Sequence, residues 1–240
     1  MPASEKIILA LDVSGYDYAL DLVDRFGEYV GIFKIGLELF TACGPRIVDE
    51  IAVKRGRKVF LDLKFHDIPN TVSKAAIASA RLGVYMFNVH ASGGLEMMRR
   101  CKDSVTEVCL KEGMERPKIL AVSVLTSVTR EILMNELGVH HGIRTQVKHL
   151  SALALSAGLD GVVASGREVT IIREHCGSQF LIVTPGVRPS WTPPDDQKRT
   201  ITPKEAIRAG ADYLVVGRAV MQQPDPLKAL ELISLEVLSA

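Results

Sequence analysis

The chain has 240 residues, enough for one large domain or two small ones and for a core that needs no disulfide or metal. Hydrophobic residues make up 47% and charged residues 24%, the balance of a globular chain, which excludes a disordered chain, a collagen and a coiled coil. Lys and Arg total 29 against 28 Asp and Glu, so a formal charge of +1 excludes a general nucleic-acid or membrane binder while leaving room for a local basic pocket that holds an anion.

Short β-branched runs alternate with longer helical patterns along the chain. The first run is Ile7 to Val13, followed by a helix from about Tyr16 to Phe26. The second is Gly31 to Leu37, with a helix reaching about Arg55, and the third is Lys58 to Phe65, with Pro69 opening the next helix. Met86 to His90 is the fourth, before a helix from about Leu95 to Lys111. The fifth, Lys118 to Leu125, precedes helical patterns around Thr129 to Leu137 and Arg144 to Ala157. Gly161 to Ser165 is the sixth, with a helix to about His175. Phe180 to Pro185 is the seventh, followed by a long polar loop and a helix from about Pro203 to Ala209. Tyr213 to Gly217 is the eighth, and a helix from about Asp225 to Leu238 closes the series.

Eight alternations of strand and helix predict an α/β chain folded as one (β/α)8 TIM barrel over residues 1–240 rather than as two domains. An open doubly wound sheet is the runner-up. Gly83, Gly158 and Gly210 each stand after a helical pattern and before a strand, where a C-capping glycine belongs. Ala157-Gly158-Leu159-Asp160 and Ala209-Gly210-Ala211-Asp212 repeat one junction, a hint of internal similarity. No apolar run approaches the ~20 residues of a membrane span, and the polar stretch Met1 to Lys6 has no signal-peptide pattern. Cys43, Cys101, Cys109 and Cys176 are widely spaced without a C-x-x-C, which fits neither a disulfide scaffold nor a zinc site and suggests reduced thiols in a cytoplasmic protein.

A barrel places its active site at the C-terminal ends of its strands. In Leu61-Asp62-Leu63-Lys64-Phe65, alternation puts Asp62 and Lys64 on the barrel side and the apolar residues on the helix side. The same argument turns Lys34 and Asp12 inward, so charges from adjacent strands converge at the mouth. An ion-pair network without chemistry is the bland alternative. It is the weaker one, because desolvation offsets much of the attraction and a folding core does not need such charges. Asp67, in His66-Asp67-Ile68-Pro69-Asn70-Thr71, also has a plain role in a turn that starts a helix.

The eighth run ends Val215-Val216-Gly217-Arg218, and Arg188 follows the seventh in Pro185-Gly186-Val187-Arg188. Glycine backbone and two forked donors at neighbouring strand ends suit a phosphate, which barrels often bind there. Either arginine alone would read as a surface ion pair. The loop from Arg188 to Thr202 is long enough to be a lid and holds Trp191 and Gln197. His140 and His141 read as solvated, Cys101 and Cys109 as core on one helix face. His66 and His90 lie near strand ends, in the site or in the core alike. No P-loop, dinucleotide fingerprint or nucleophile elbow is present.

Asp62-Leu63-Lys64-Phe65-His66-Asp67-Ile68-Pro69-Asn70-Thr71 resembles the signature D-x-K-x-x-D-I-P-x-T of the orotidine 5′-phosphate decarboxylase family. Thr184-Pro185-Gly186-Val187-Arg188 and Val216-Gly217-Arg218 also match, and the likeness runs from Asp12 to Arg218. D-x-K-x-x-D alone is shared with other phosphate-binding barrels; the Ile-Pro-x-Thr extension and Lys34 make the match specific. The resemblance implies decarboxylation of orotidine 5′-phosphate to uridine 5′-phosphate, the last step of de novo synthesis of that nucleotide, without metal or cofactor. It implies a homodimer with shared sites at the subunit interface. Lys34, Asp62, Lys64 and Asp67 would form the catalytic charge network, with Lys64 as proton donor. Asp67, Ile68 and Thr71 would reach into the partner's site. Asp12 and Lys34 would hold ribose hydroxyls and Thr126 the pyrimidine. Arg188, Gly217 and Arg218 would hold the phosphate, with Pro185 among the substrate-binding residues, and Gln197 would bridge base and phosphate. The alternatives are a magnesium-dependent sugar-phosphate decarboxylase or aldolase on the same barrel, which places a carboxylate near the position of Lys34, and a nucleotide-binding barrel without turnover.

Overall fold

The computed structural model describes residues 2–191 and 201–240. Eight parallel strands close in sequence order into a barrel: β1 (Ile7–Ala10), β2 (Ile32–Gly36), β3 (Lys58–Phe65), β4 (Met86–His90), β5 (Lys118–Val122), β6 (Gly161–Val163), β7 (Leu181–Thr184) and β8 (Tyr213–Val216). Closure is direct, since Ile8 is in register with Ile32 on β2 and with Val215 on β8. The open sheet is thereby ruled out.

The period of two along each strand builds two cores. Ile8, Ile32, Phe60, Met86, Leu120, Val183 and Val215 point inward and fill the barrel. Their neighbours Leu9, Phe33, Leu61, Phe87, Ile119, Ile182 and Leu214 point outward, into the layer shared with the helices. At the N-terminal end of the barrel the hydroxyls of Tyr85 and Tyr213 meet at 3.2 Å. At the C-terminal end the inward positions change from apolar to charged, and this places the site.

The helices are α1 (Tyr16–Phe26), α2 (Leu37–Cys43), α3 (Arg46–Asp49), α4 (Pro69–Arg81), α5 (Gly94–Glu112), α6 (Ile143–Ser156), α7 (Val169–Cys176), α8 (Pro203–Ala209), α9 (Arg218–Met221) and α10 (Pro226–Leu238). Their starts carry the expected signals: Pro69, Pro203 and Pro226 stand in first turns, and Thr202 and Glu205 form a reciprocal capping box before α8. The single helix expected to reach Arg55 is a correction. It breaks after Cys43, because Gly44 takes φ 66 and Pro45 supplies no amide hydrogen, and it resumes as α3 and a π-helical turn Glu50–Lys54. The pattern around Thr129 to Leu137 likewise condenses to a π-helical turn Ile132–Glu136, begun by the Thr129 hydroxyl accepting from Ile132 N and followed by Gly138 at φ 66. The sixth strand ends at Val163, since Ser165 instead caps the 3₁₀ turn Gly166–Glu168. All four cysteines are free thiols, with Cys101 and Cys109 buried. Burial in an apolar helix layer pushes the Cys101 thiol up to about 12. Among the described residues no helix is long and apolar enough to cross a membrane.

Candidate active site

A cavity of about 240 Å³ opens at the C-terminal mouth of the barrel. Asp12, Lys34, Asp62, Lys64, Thr126, Pro185, Arg188, Gly217 and Arg218 all line it. Val122, Val163 and Val215 form apolar wall below them.

The charged side is a linear alternation. Lys34 Nζ is 3.0 Å from Asp12 Oδ1 and 3.4 Å from Asp62 Oδ2, and Lys64 Nζ is 2.7 Å from Asp62 Oδ1. The inner members are well buried, the side chains of Lys34 and Asp62 being 11% and 12% exposed, whereas that of Asp12 is 58% exposed. At an effective dielectric of ~20 the Lys34–Asp62 pair attracts by about 5 kcal/mol, and desolvation takes back much of that. The gain in net stability is therefore small. What the network provides is two fixed ammonium groups and two fixed carboxylates in a partly dry pocket.

Local backbone makes room for this arrangement. A β-carbon at Gly36 would lie 3.0 Å from Lys34 Nζ and 3.6 Å from Asp12 Oδ1, so a side chain there would press on the lysine ammonium. β3 departs from its ladder with β4: Leu61 pairs with Phe87 and Phe65 with Val89, which leaves extra residues on β3 around Asp62 to Lys64. Within that irregularity Lys64 has φ 53, the one positive φ outside glycine among the described residues. Left-handed backbone costs a lysine roughly 1–2 kcal/mol, so its surroundings must hold it there. Asn88 does so. Its Oδ1 accepts the Lys64 amide hydrogen at 2.8 Å and its Nδ2 donates to Asp62 Oδ1 at 2.7 Å.

Arg188 and Arg218 line the same cavity from beyond the ends of β7 and β8. Gly186 turns the chain after β7 at φ 73, a conformation that favours glycine, and Arg188 follows two residues later. A bridge pairs Val187 with Ile201, and Arg188 N donates to Ile201 O at 2.9 Å, so the two ends of the long loop are tied together beside the cavity. Gln197 lies outside the described residues. Asp67, Ile68 and Thr71 are exposed and do not line this cavity. Asp67 Oδ1 accepts from Ile68 N at 2.6 Å, and Ile68 is 66% exposed. His66 and His90 stand with ring centroids 5.4 Å apart. Burial, followed by the nearby His66 and Lys64, holds His90 below its ordinary range and favours the neutral ring.

Gly36 and Asn88 are positions against the charged network that the sequence reading passes over. Asn88 had a usable signal, as a polar residue at an inward position of the apolar run Met86 to His90. Gly36 had none, because its role depends on where the Lys34 ammonium ends.

Comparison with known proteins gives the family and the fold. A family model described as "Orotidine 5'-phosphate decarboxylase / HUMPS family" matches residues 5–233. Curated relatives named orotidine 5′-phosphate decarboxylase include one from Geobacter metallireducens, 51% identical over 237 residues and covering 99% of this chain and 98% of the relative. Another, from Moorella thermoacetica, is 51% identical over 237 residues, with 99% of this chain and 94% of the relative covered. Among solved structures, the crystal structure of orotidine 5′-phosphate decarboxylase from Lactobacillus acidophilus aligns with a TM-score of 0.84 at 37% identity, covering 96% of this chain and 98% of that one.

Proposed function

The chain belongs to the orotidine 5′-phosphate decarboxylase / HUMPS family, and from that premise we infer how the barrel mouth performs its reaction. The reaction is decarboxylation of orotidine 5′-phosphate to uridine 5′-phosphate, in pyrimidine biosynthesis.

One observation carries the choice between chemistries on this barrel. Lys34 Nζ stands 3.0 Å from Asp12 and 3.4 Å from Asp62, so an ammonium already occupies the ground between the two carboxylates. A magnesium-binding relative needs that ground for its ion and a further carboxylate near the Lys34 position. The side chain here supplies the opposite charge.

Loss of carbon dioxide breaks the bond between C6 and the carboxylate and leaves the electron pair on C6. Lys64 stabilises that developing charge and delivers a proton to C6, after which solvent reprotonates its amine. Asp62 and Lys34 hold the lysine and its charge in place before the substrate arrives, which is electrostatic preorganisation. Asp12 and Lys34 face the ribose hydroxyls, and Thr126 faces the pyrimidine. Pro185, Arg188, Gly217 and Arg218 line the phosphate end. By the family resemblance Gln197, which lies outside the described residues, would bridge base and phosphate. Phosphate binding, remote from the reacting bond, supplies energy that holds the catalytic arrangement. The enzyme works as a cytoplasmic homodimer in which Asp67, Ile68 and Thr71 complete the partner's site. Their exposure and their absence from the lining of their own cavity support that arrangement.

The test follows the ultraviolet absorbance of orotidine 5′-phosphate with purified protein and excess chelator. The wild type converts it fully, while Lys64→Ala loses roughly three orders of magnitude in turnover or more and still binds uridine 5′-phosphate. Turnover that stops with the chelator would favour the magnesium-dependent reading. Binding with no conversion at all would favour the silent nucleotide binder.

A further inference from the structure

Asn88 is wholly buried on β4, one inward layer above Met86, and it does not line the cavity. An apolar residue would satisfy that place as Met86 does below. Instead a carboxamide is used, and both of its ends are spent on β3. The Lys64 amide can only donate, so it fixes the carbonyl oxygen of Asn88 toward it and the amino group toward Asp62. The Asp62 oxygen that receives this amino group is the one 2.7 Å from Lys64 Nζ. A single side chain thus holds the lysine twice, by its backbone directly and by its ammonium through Asp62.

The backbone hold matters because β3 has lost its ladder there. The register shift between Leu61 and Phe65 interrupts regular pairing with β4, and Lys64 stands at φ 53. Without Asn88 Oδ1 the Lys64 amide would be left without a partner and the left-handed turn without its brace. Lys64 would relax toward ordinary strand geometry and carry its ammonium away from C6.

We propose that Asn88 is the positioning residue of the reaction, clamping Lys64 in its left-handed conformation and Asp62 in its orientation; this rests on Lys64 being the proton donor.

Wild type, Asn88→Ala and Asn88→Asp are compared for kcat on orotidine 5′-phosphate, for affinity toward uridine 5′-phosphate and for circular dichroism. Asn88→Ala should lower kcat about a hundredfold, the order expected of an ångström-scale misplacement, while the product affinity stays within about threefold. Asn88→Asp keeps the shape and the acceptor but sets a second carboxylate against Asp62. The charged and titratable groups around it are Asp62 and Lys64 on β3, Lys34 beyond Asp62, and His90 with His66 above. Two carboxylates so close share a proton as the pH falls, and the protonated side chain again donates to Asp62 while accepting from Lys64. The kcat ratio of Asn88→Asp to wild type should therefore climb between about pH 8 and pH 5. A kcat for Asn88→Ala within about threefold of wild type, or product affinity falling in step with kcat, would overturn the proposal. If Asn88→Ala does not fold, the pH ratio of Asn88→Asp decides, and a flat ratio overturns it. A wild type inert on orotidine 5′-phosphate would instead bring down the reaction assignment itself, and the positioning role with it.

Discussion

Arg218 approaches the cavity from the residue after Gly217, at the start of α9, and Arg188 approaches from the loop after β7. Both line the same cavity as Asp62 and Lys64, and the proposed reaction gives them the phosphate. Arg218→Ala should therefore weaken uridine 5′-phosphate by about 10- to 100-fold, the value of charge-assisted hydrogen bonds to a phosphate, and leave uridine within about twofold. Calorimetric titration of both ligands checks this, and equal weakening would remove Arg218 from the phosphate. Legibility at this scale follows one rule. Asp12, Lys34, Asp62 and Lys64 stand out in the sequence because they interrupt apolar strands at inward positions near strand ends. Asn88 obeys the same rule but is neutral, and a neutral polar residue in a strand draws less notice than a charge. The left-handed turn at Lys64 leaves no trace in composition, since it depends on a mismatch between two strands.

At the scale of elements, the repeated junctions Ala157 to Asp160 and Ala209 to Asp212 have a common structural task. Asp160 accepts from Ile119 N at 2.7 Å and takes both arms of Arg116 at 2.6 and 2.9 Å. Asp212 accepts from Ile182 N at 2.8 Å and from Arg173 at 2.7 Å. Each aspartate thus pins the start of its own strand to the preceding one, β6 to β5 and β8 to β7. Arg173 extends the second clamp to the carbonyls of Gly177, Ser178, Phe180 and Gly210. Asp212→Ala removes the partner of a strand amide and of a half-buried guanidinium. It should cost about 2 kcal/mol, or roughly 4–8 °C in melting temperature, with kcat little changed because the clamp lies at the end of the barrel away from the site. A melting temperature within about 1 °C of wild type would show that the repetition carries no stability. The glycine and the aspartate of this junction are readable in the sequence as a motif. The arginines are not, because they come from different places relative to it: Arg116 precedes β5, and Arg173 lies within α7. The elements that the sequence misplaces are those decided by local backbone, namely the break at Gly44-Pro45 and the π-helical turns, where hydrophobic periodicity continues across a change of helix type.

For the molecule as a whole, the proposed homodimer raises the question of which residues of the signature work in which subunit. Asp62 and Lys64 line the cavity of their own chain, whereas Asp67, Ile68 and Thr71, only a few residues on, stay outside it in solvent. A motif spanning ten residues is thus divided by the turn that starts α4. Ile68 gives that turn an exposed apolar anchor and Asp67 an exposed carboxylate, which suits a two-fold interface where the same patch meets itself and each copy supplies the other. The division predicts a complementation. Asp67→Ala subunits keep Lys64 but supply no carboxylate across the interface, and Lys64→Ala subunits do the reverse. Each variant alone should be nearly inactive. After subunit exchange at equal amounts, half of the dimers are mixed and each mixed dimer holds one intact site, so about a quarter of wild-type activity should return. If Asp67 served its own chain, every site in every mixed dimer would lack one group and nothing would return. Exchange is followed by mass spectrometry of an isotope-labelled partner, so that an absence of recovery in demonstrably mixed dimers counts against shared sites.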